Sequence, residues 1–255
     1  MTRTGGTDGV LIRRILVTLG IALCFMFTAH ANAETDAFRG YAQGQGWQYA
    51  ELGEYPQTLE GGMEPILWRV LSVDGNSAYL VSEYVLLNRR IHPDDYEYML
   101  SDGNFVQTEM YGFLNGAFLK SFTADELAML APDADGGVVT LLSADDLRNP
   151  AFGFVNDASR AALGTPYALQ NGLYSYSLRF GNTSPYWTRT QNADVPYGAC
   201  CTKAAGNVGY IRVVVQNEGC RPACTLRLDK VVVDSGEGTA ENPFRLKLNK
   251  GSVTK

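Results

Sequence analysis

The order of strand-type and helix-type segments along the chain places the tightest limit on its fold. Residues 47 to 86 have strand-type composition with alternating side chains, and Asp74-Gly75-Asn76 is typical of a hairpin turn. Residues 110 to 164 contain helix-type patterns, and strand-type segments return from Tyr174 onward. Strands at both ends with helices between them predict the α+β class rather than alternating β-α-β units.

The middle segment combines an apolar helix face with capping signals. Its apolar positions recur at helical spacing and are Met110, Phe113, Leu114, Ala117 and Phe118. Thr123 and Glu126 have the spacing of a capping box, which predicts a short second helix ending before Pro132. We also predict a buried strand within residues 138 to 143 and a short helix at residues 158 to 164.

The N-terminus has the three parts of a secretory signal. Arg13 and Arg14 precede an apolar run of 13 residues, and Ala31-Asn32-Ala33 supplies small residues for a signal peptidase. The run is shorter than the roughly 20 residues of a membrane-spanning helix. We therefore predict a signal peptide at residues 1–33 and a secreted or cell-surface protein, with a retained N-terminal anchor as the alternative.

The remaining 222 residues suffice for one well-cored domain. Residues 34–46 are small and polar and are predicted as a leader, residues 47–235 as the domain, and residues 236–255 as a linker or tail. No segment after the signal is long and apolar enough to span a membrane, so we predict no transmembrane segment after cleavage.

Charge and histidine content narrow the function. The whole chain has a net charge of −6, and removing the signal, with its three arginines and one aspartate, leaves −8. An acidic chain argues against nucleic acid or anionic lipid as a partner. His92, the single histidine after the signal, lies in a polar turn. We predict no catalytic residues, because His92 alone would have to supply any imidazole chemistry.

Four cysteines follow the signal: Cys200, Cys201, Cys220 and Cys224. An even number in a secreted chain predicts disulfides. An extended segment from 220 to 224 would separate its two Cα atoms by about 13 Å, beyond the limit of about 7 Å for a bridge. We therefore predict that these two pair with Cys200 and Cys201. The alternatives are a local bridge allowed by a bend at Pro222, and a zinc site of four thiolates.

We predict no metal and no cofactor. Asp94-Asp95, Asp133 with Asp135, and Asp145-Asp146 offer carboxylates to calcium, but none has the spacing of a known calcium loop. We instead interpret them as solvated loops and helix caps. The exclusion of redox and metal chemistry depends on the four thiols being cross-linked.

Aromatic and polar side chains crowd the region between the central helices and the last strands. Sugars bind by stacking on aromatic rings while their hydroxyl groups meet amides and charges. The predicted ligand-binding residues are Tyr174, Tyr176, Tyr186, Trp187, Arg189, Asn192 and Tyr197. The alternative is that Trp187 packs in the core and the tyrosines cover loops.

Six blocks of sequence occur in an order typical of one family. They are ELGEYPQ (51–57), PILWRVLSVDGNSAYLVSEYVL (65–86), MYGFLNGAFLKSFTADELAML (110–130), VVTLLSADDL (138–147), SPYWTRT (184–190) and GCRPACTLRLD (219–229). The chain resembles an uncharacterised domain family of bacterial secreted and surface proteins. That family is similar to the C-type lectin-like fold shared with formylglycine-generating (sulfatase-modifying factor) enzymes. The resemblance implies a mixed sheet with paired terminal strands, flanking short helices and long ligand-facing loops, but no activity.

Three functional hypotheses follow. The first is a non-catalytic secreted or cell-surface binding module for a glycan or a protein partner. The second is an enzyme of the formylglycine-generating type, although those enzymes hold copper between two cysteines in a spacing and position that this chain does not match. The third is an architectural domain of a surface assembly, whose basic tail contacts anionic wall polymers through Arg245, Lys247, Lys250 and Lys255.

Overall fold

The computed structural model describes residues 37–176 and 181–251, and the predicted signal peptide lies outside the described residues. From Phe38 onward the chain forms one compact unit. Residues 38–46, which the sequence predicted as a leader, are part of this unit. Phe38 is buried against Phe244 with ring centroids 5.1 Å apart, and the Tyr41 N–H donates to Leu71 O at 3.1 Å.

Helices in the described part of the chain are short. The α-helices are α1 Asp95–Leu100, α2 Glu109–Leu114, α3 Ala124–Met129, α4 Asp157–Arg160 and α5 Pro166–Gln170. The 3₁₀-helices are Phe105–Gln107, Ala117–Ser121, Asp146–Arg148, Pro150–Phe152 and Leu228–Lys230. Among the described residues, no helix is long and apolar enough to cross a membrane.

Strands dominate the fold. They are β1 Gln48–Pro56, β2 Met63–Asp74, β3 Ser77–Ser82, β4 Leu87–Asn88, β5 Val139–Leu141, β6 Ala162–Leu163, β7 Thr183–Ser184, β8 Tyr186–Gln191, β9 Gly198–Thr202, β10 Val208–Arg212, β11 Gly219–Cys220, β12 Pro222–Arg227, β13 Val231–Ser235 and β14 Phe244–Leu248. They form a seven-stranded sheet in the order β13-β14-β1-β2-β3-β12-β5, a five-stranded sheet in the order β10-β9-β8-β11-β4, and the pair β6-β7. The predicted α+β class is confirmed.

Most of the turns, caps and short elements predicted from local sequence are present in the structure. β2 and β3 form the predicted hairpin, in which Asp74 pairs with Ser77 and Gly75 has a φ of +53°. A positive φ at the turn is the reason glycine suits this position. Helix α3 begins with the predicted capping box between Thr123 and Glu126, and β5 lies within the predicted strand. The predicted helix at residues 158–164 is wrong after Arg160, because β6 follows and pairs with β7.

The apolar helix face predicted from Met110 to Phe118 is split. Helix α2 ends at Leu114, and a 3₁₀-helix begins at Ala117. Asn115 explains the break, because its side chain accepts from the Val138 N–H at 2.8 Å and donates to Val139 O at 2.9 Å. These bonds tie the helix end to the start of β5. Three residues of the predicted face, Met110, Leu114 and Phe118, have almost no exposed surface, whereas Phe113 is half-buried and Ala117 is exposed.

The described part of residues 236–255, which the sequence predicted as a linker or tail, includes a strand of the seven-stranded sheet. Strand β14 pairs in parallel with β1 and antiparallel with β13. Phe244 is 6% exposed. A Gly-rich turn before β14 returns the chain to the sheet. In this turn Gly236 has a φ of +93°, which glycine adopts readily.

One extended segment joins the two large sheets. Strand β11 in the five-stranded sheet is separated from β12 in the seven-stranded sheet by Arg221 alone. The guanidinium of Arg221 is 1% exposed and donates to Ser82 O at 2.7 Å and to the Tyr186 hydroxyl at 3.1 Å. It therefore links β3 of one sheet to β8 of the other.

Candidate functional site

The four cysteines are buried free thiols, and the predicted disulfides are not formed in the structure. Cys201 pairs with Trp187 across β9 and β8, and the parallel pairing of Gly219 with Tyr186 places Cys220 beside Trp187 on the other side. Two strand spacings separate these cysteines by about 10 Å, beyond bridging distance. Cys224 lies in the other sheet, between Leu80 and Val139.

The thiols are neither cross-linked nor gathered. Among the described residues, no three His, Cys, Asp or Glu side chains lie close enough together to hold a metal ion. Burial raises the pKa of Cys201 to about 12, and the nearby Glu218 carboxylate adds to the effect. Burial also raises the pKa of Cys220 and Cys224. Because the thiolate is the nucleophile and the metal ligand, burial and not cross-linking limits the chemistry of these residues.

Two of the predicted ligand-binding residues lie in the core. Tyr186 and Trp187 are 1% and 0% exposed. The Tyr186 hydroxyl donates to Arg160 O at 2.8 Å, and the Trp187 indole N–H donates to Arg89 O at 2.8 Å. Their rings are therefore covered by protein in this structure, as the alternative interpretation of Trp187 expected.

Arg189 and Asn192 make internal contacts. Arg189 forms an ion pair with Asp146 at 3.3 Å and donates to the Tyr79 hydroxyl at 3.2 Å. The Asn192 side-chain oxygen accepts from the Val195 N–H at 2.8 Å, which shapes the turn before β9. Both side chains hold loops in place.

Tyr197 lies apart from Tyr174 and Tyr176. It lines a cavity of about 370 Å³ together with Asp95, Tyr96, Met99 and Arg212. This cavity is beside the start of β9. Lys203, which shares a cavity with Tyr174 and Tyr176, instead follows the end of β9. The structure thus does not gather the predicted residues into one site.

Tyr174 and Tyr176 do share a cavity, which we call the tyrosine pocket. It has a volume of about 250 Å³ and is lined by Tyr174, Tyr176, Pro185, Lys203, Ala204, Ala205 and Glu218. The two tyrosines are 45% and 39% exposed. The lining is therefore mainly apolar and aromatic, with one acidic and one basic side chain.

Glu218 is the buried acidic group of the tyrosine pocket. Its side chain is 6% exposed, and its Oε1 atom lies 4.0 Å from the Lys203 ammonium. Its Oε2 atom is buried and has no hydrogen-bond partner among the described residues. A buried carboxylate oxygen without a partner is costly in a folded protein, so this atom requires an explanation.

Backbone contacts hold Glu218 in position. Its carbonyl accepts from the Arg89 N–H at 3.3 Å, and the preceding Asn217 carbonyl accepts from the Tyr174 N–H at 3.0 Å. The following residue must be small, because a Cβ atom on Gly219 would lie 2.1 Å from Val85 Cγ1. The strand start that carries Glu218 therefore has little freedom to move.

Burial also controls the protonation of Glu218. It raises the pKa of the carboxyl to about 7, although the Lys203 ammonium acts in the opposite direction. Near neutral pH this group is a mixture of acid and carboxylate, and it is able to donate or accept a hydrogen bond.

Sequence analysis missed Lys203 and Glu218. Neither belongs to a motif, and 15 positions separate them, so their meeting depends on the pairing of β9, β8 and β11. One local signal could have pointed to Glu218, namely the glycine that follows it, Gly219, in a strand-type segment. Glycine within a strand often marks a place where a neighbouring group approaches closely.

The acidic pairs that were considered as calcium ligands have local roles. Asp94 caps α1 by accepting from the Tyr96 and Glu97 N–H groups. Asp133 accepts from the Asp135 N–H at 2.9 Å, and Asp146 accepts from the Ser143 N–H at 2.7 Å. These contacts are those of loop and helix caps.

Comparison of the chain with protein-family models, curated proteins and solved structures finds no match.

Proposed function

We propose that the chain is a secreted or cell-surface binding module with a C-type lectin-like fold, and that it binds a saccharide in the tyrosine pocket. The observation that carries the proposal is the buried, unpartnered Oε2 atom of Glu218 in a cavity lined by two exposed tyrosines. A ligand hydroxyl group would satisfy that oxygen.

The chemistry of the pocket fits a sugar. A pyranose ring offers an apolar face to Tyr174 or Tyr176 and hydroxyl groups at its edge. Glu218 accepts from one hydroxyl, and the Lys203 ammonium donates to a neighbouring one. The Lys203 ammonium compensates the carboxylate form of Glu218, which suits a neutral sugar ring better than an isolated ion.

Two rival functions receive less support. An enzyme of the formylglycine-generating type needs reactive cysteines, whereas burial suppresses the thiolate here. An architectural role for the basic tail needs uncompensated charge. The described tail cations are instead paired with carboxylates, namely Arg245 with Glu51, Lys247 with Asp234 and Lys250 with Asp125.

Glu218→Gln and Tyr174→Ala test the proposal. The purified chain is screened against an array of bacterial wall and capsular glycans, and affinities for the bound glycans are measured by calorimetry. We expect Glu218→Gln to weaken binding about tenfold or more, because a hydrogen bond to a charged group contributes about 1.5–3 kcal/mol. Tyr174→Ala should weaken binding about two- to tenfold, because a ring contact contributes about 0.5–1.5 kcal/mol.

Tyr210→Ala is the matched control. Tyr210 is 50% exposed and lies on β10, but it does not line the tyrosine pocket. Its removal should leave glycan binding unchanged. The proposal fails if no glycan binds the wild-type chain, or if Glu218→Gln leaves the affinity for the bound glycan unchanged.

A further inference from the structure

A second cavity, which we call the arginine pocket, lies close to Glu218. It has a volume of about 260 Å³ and is lined by Asn88, Arg89, Arg90, Glu109 and Gln216. It is polar, in contrast to the tyrosine pocket. Strand β4 supplies Asn88 at its end, and α2 supplies Glu109 in its first turn.

The arginine pocket carries excess positive charge. Arg89 and Arg90 both form ion pairs with Glu109, the latter at 3.0 Å, so two guanidinium groups share one carboxylate. Glu109 is the one acidic side chain among the lining residues. A locally cationic pocket on a chain whose net charge is −6 favours an anionic ligand group.

Hydrogen-bonding capacity is left unused there. The Arg89 Nε atom and the Asn88 Oδ1 atom are buried, and neither has a hydrogen-bond partner among the described residues. Arginine binds planar oxyanions such as carboxylates through paired N–H groups. An anion in this pocket would occupy the free N–H donor of Arg89, and a hydroxyl group on the same ligand would satisfy Asn88.

The donor groups are held in place before any ligand arrives. The Arg89 guanidinium lies 4.5 Å from the centre of the Phe113 ring. The Arg89 carbonyl accepts from the Trp187 indole, and the Asn88 amide donates to Asn171 O at 3.0 Å. A pocket with fixed donors loses little entropy when it binds a ligand.

The arginine pocket and the tyrosine pocket are neighbours along the chain. Gln216 lines the first and Glu218 lines the second. Two residues of backbone span at most about 7 Å, so their Cα atoms lie within the length of a disaccharide. The Arg89 N–H also donates to Glu218 O, which joins the two pockets through one hydrogen bond.

We infer that the arginine pocket binds the carboxylate of an acidic saccharide whose neighbouring sugar ring occupies the tyrosine pocket. The inference rests on the proposed saccharide binding and names its ligand class. A sulfate or phosphate group shares the oxyanion chemistry, and the experiment below separates these sources.

The test compares a matched pair of disaccharides, cellobiose and cellobiouronic acid, with inorganic phosphate as the free anion. Binding to the full chain is followed by NMR at fixed ionic strength, using the Tyr174 ring and the arginine Nε–H signals. We expect the acidic disaccharide to bind about tenfold more tightly than cellobiose and to shift both sets of signals. Arg90→Gln should abolish the preference for the acidic disaccharide, and the circular dichroism spectrum of the variant should match that of the wild-type chain, which shows that the variant is folded.

Arg245→Gln is the control, because Arg245 is exposed and pairs with Glu51 far along the chain from the pocket. It should preserve the preference. Equal affinity for the two disaccharides in the wild-type chain would overturn the inference and leave saccharide binding standing. If phosphate and the acidic disaccharide shift the arginine signals alone, and neither disaccharide shifts Tyr174, both the inference and the proposed function are overturned.

Discussion

Cys201 and Cys220 lie on the two strands that flank Trp187. A free cysteine in such a place behaves as a small apolar residue, and its type alone does not reveal whether it will be bridged. The disulfide prediction depended on the even number of cysteines and on the predicted secretion. In the structure, the distance between the two strands keeps Cys201 and Cys220 too far apart for a bridge. Burial, rather than cross-linking, therefore limits the thiol chemistry of these two residues.

Thiol titration checks this conclusion. In a Cys24→Ser variant, which leaves the four described cysteines, we expect almost no reaction with a thiol reagent in the native state, because all four side chains are buried. Denaturant without reductant should expose four thiols per chain. A count of zero before reduction and four after it would show that the disulfides exist.

Strand β14 shows how an element with tail-like composition joins a sheet. Residues 236–242 contain two glycines, two glutamates and no large apolar side chain, which is typical of a linker. The five residues of β14, Phe244–Leu248, alternate between apolar and basic side chains, and the strand pairs with β1 and β13. A Cβ atom on Gly236 would lie 1.9 Å from Pro243 O, so the turn requires glycine.

Phe244→Ala tests the contribution of this element. The ring is buried against Phe38, and its loss should lower the free energy of unfolding by about 3 kcal/mol. Denaturant unfolding followed by circular dichroism measures the change. Lys250→Ala is the control, because its ion pair with Asp125 is exposed and should contribute less than about 1 kcal/mol. Equal small effects of both substitutions would favour the tail interpretation.

The whole molecule depends on a junction between its two large sheets. Arg221 spans that junction from a buried position, and Glu218 lies three residues before it at the start of β11. Burial lowers the pKa of Arg221, while the Tyr186 ring system and Glu83 act against that effect. The region that carries the candidate site is thus also where the fold holds its most deeply buried charged groups.

Glu218 should make stability depend on pH. Its pKa is raised from 4.5 to about 7 in the fold, so the folded state binds the proton more tightly than the unfolded state does. The favourable contribution is complete below about pH 4.5 and is lost as the pH rises through about 7. Because each unit of pKa difference equals about 1.4 kcal/mol, the contribution is at most about 3 kcal/mol.

Comparison of wild-type and Glu218→Gln chains isolates this effect. The stability of the variant relative to wild type should rise between pH 5 and pH 8, as measured by denaturant unfolding at each pH. The groups that face Glu218 are Lys203 and Cys201, and both are present in the two proteins. Glu241→Gln, at an exposed position, should show no such trend. A pH-independent difference for Glu218→Gln would contradict the raised pKa.

Local sequence patterns were enough to predict the α+β class, the β2–β3 hairpin and the capping box of α3. These features depend on residues within a few positions of each other, such as Asp74 with Gly75 or Thr123 with Glu126, and local spacing encodes them directly. The break after Leu114 was missed because Asn115 bonds to β5, more than 20 positions away.

Tertiary structure alone decided which side chains meet and which are covered. Tyr174 and Tyr186 are the same residue type in similar strand-type surroundings, yet one lines a pocket and the other is buried. Glu218 and Lys203 approach each other through strands that are distant in sequence. Local preferences act over a few residues, whereas burial, pKa and pocket shape arise from packing between distant segments, so a single sequence without its fold does not specify them.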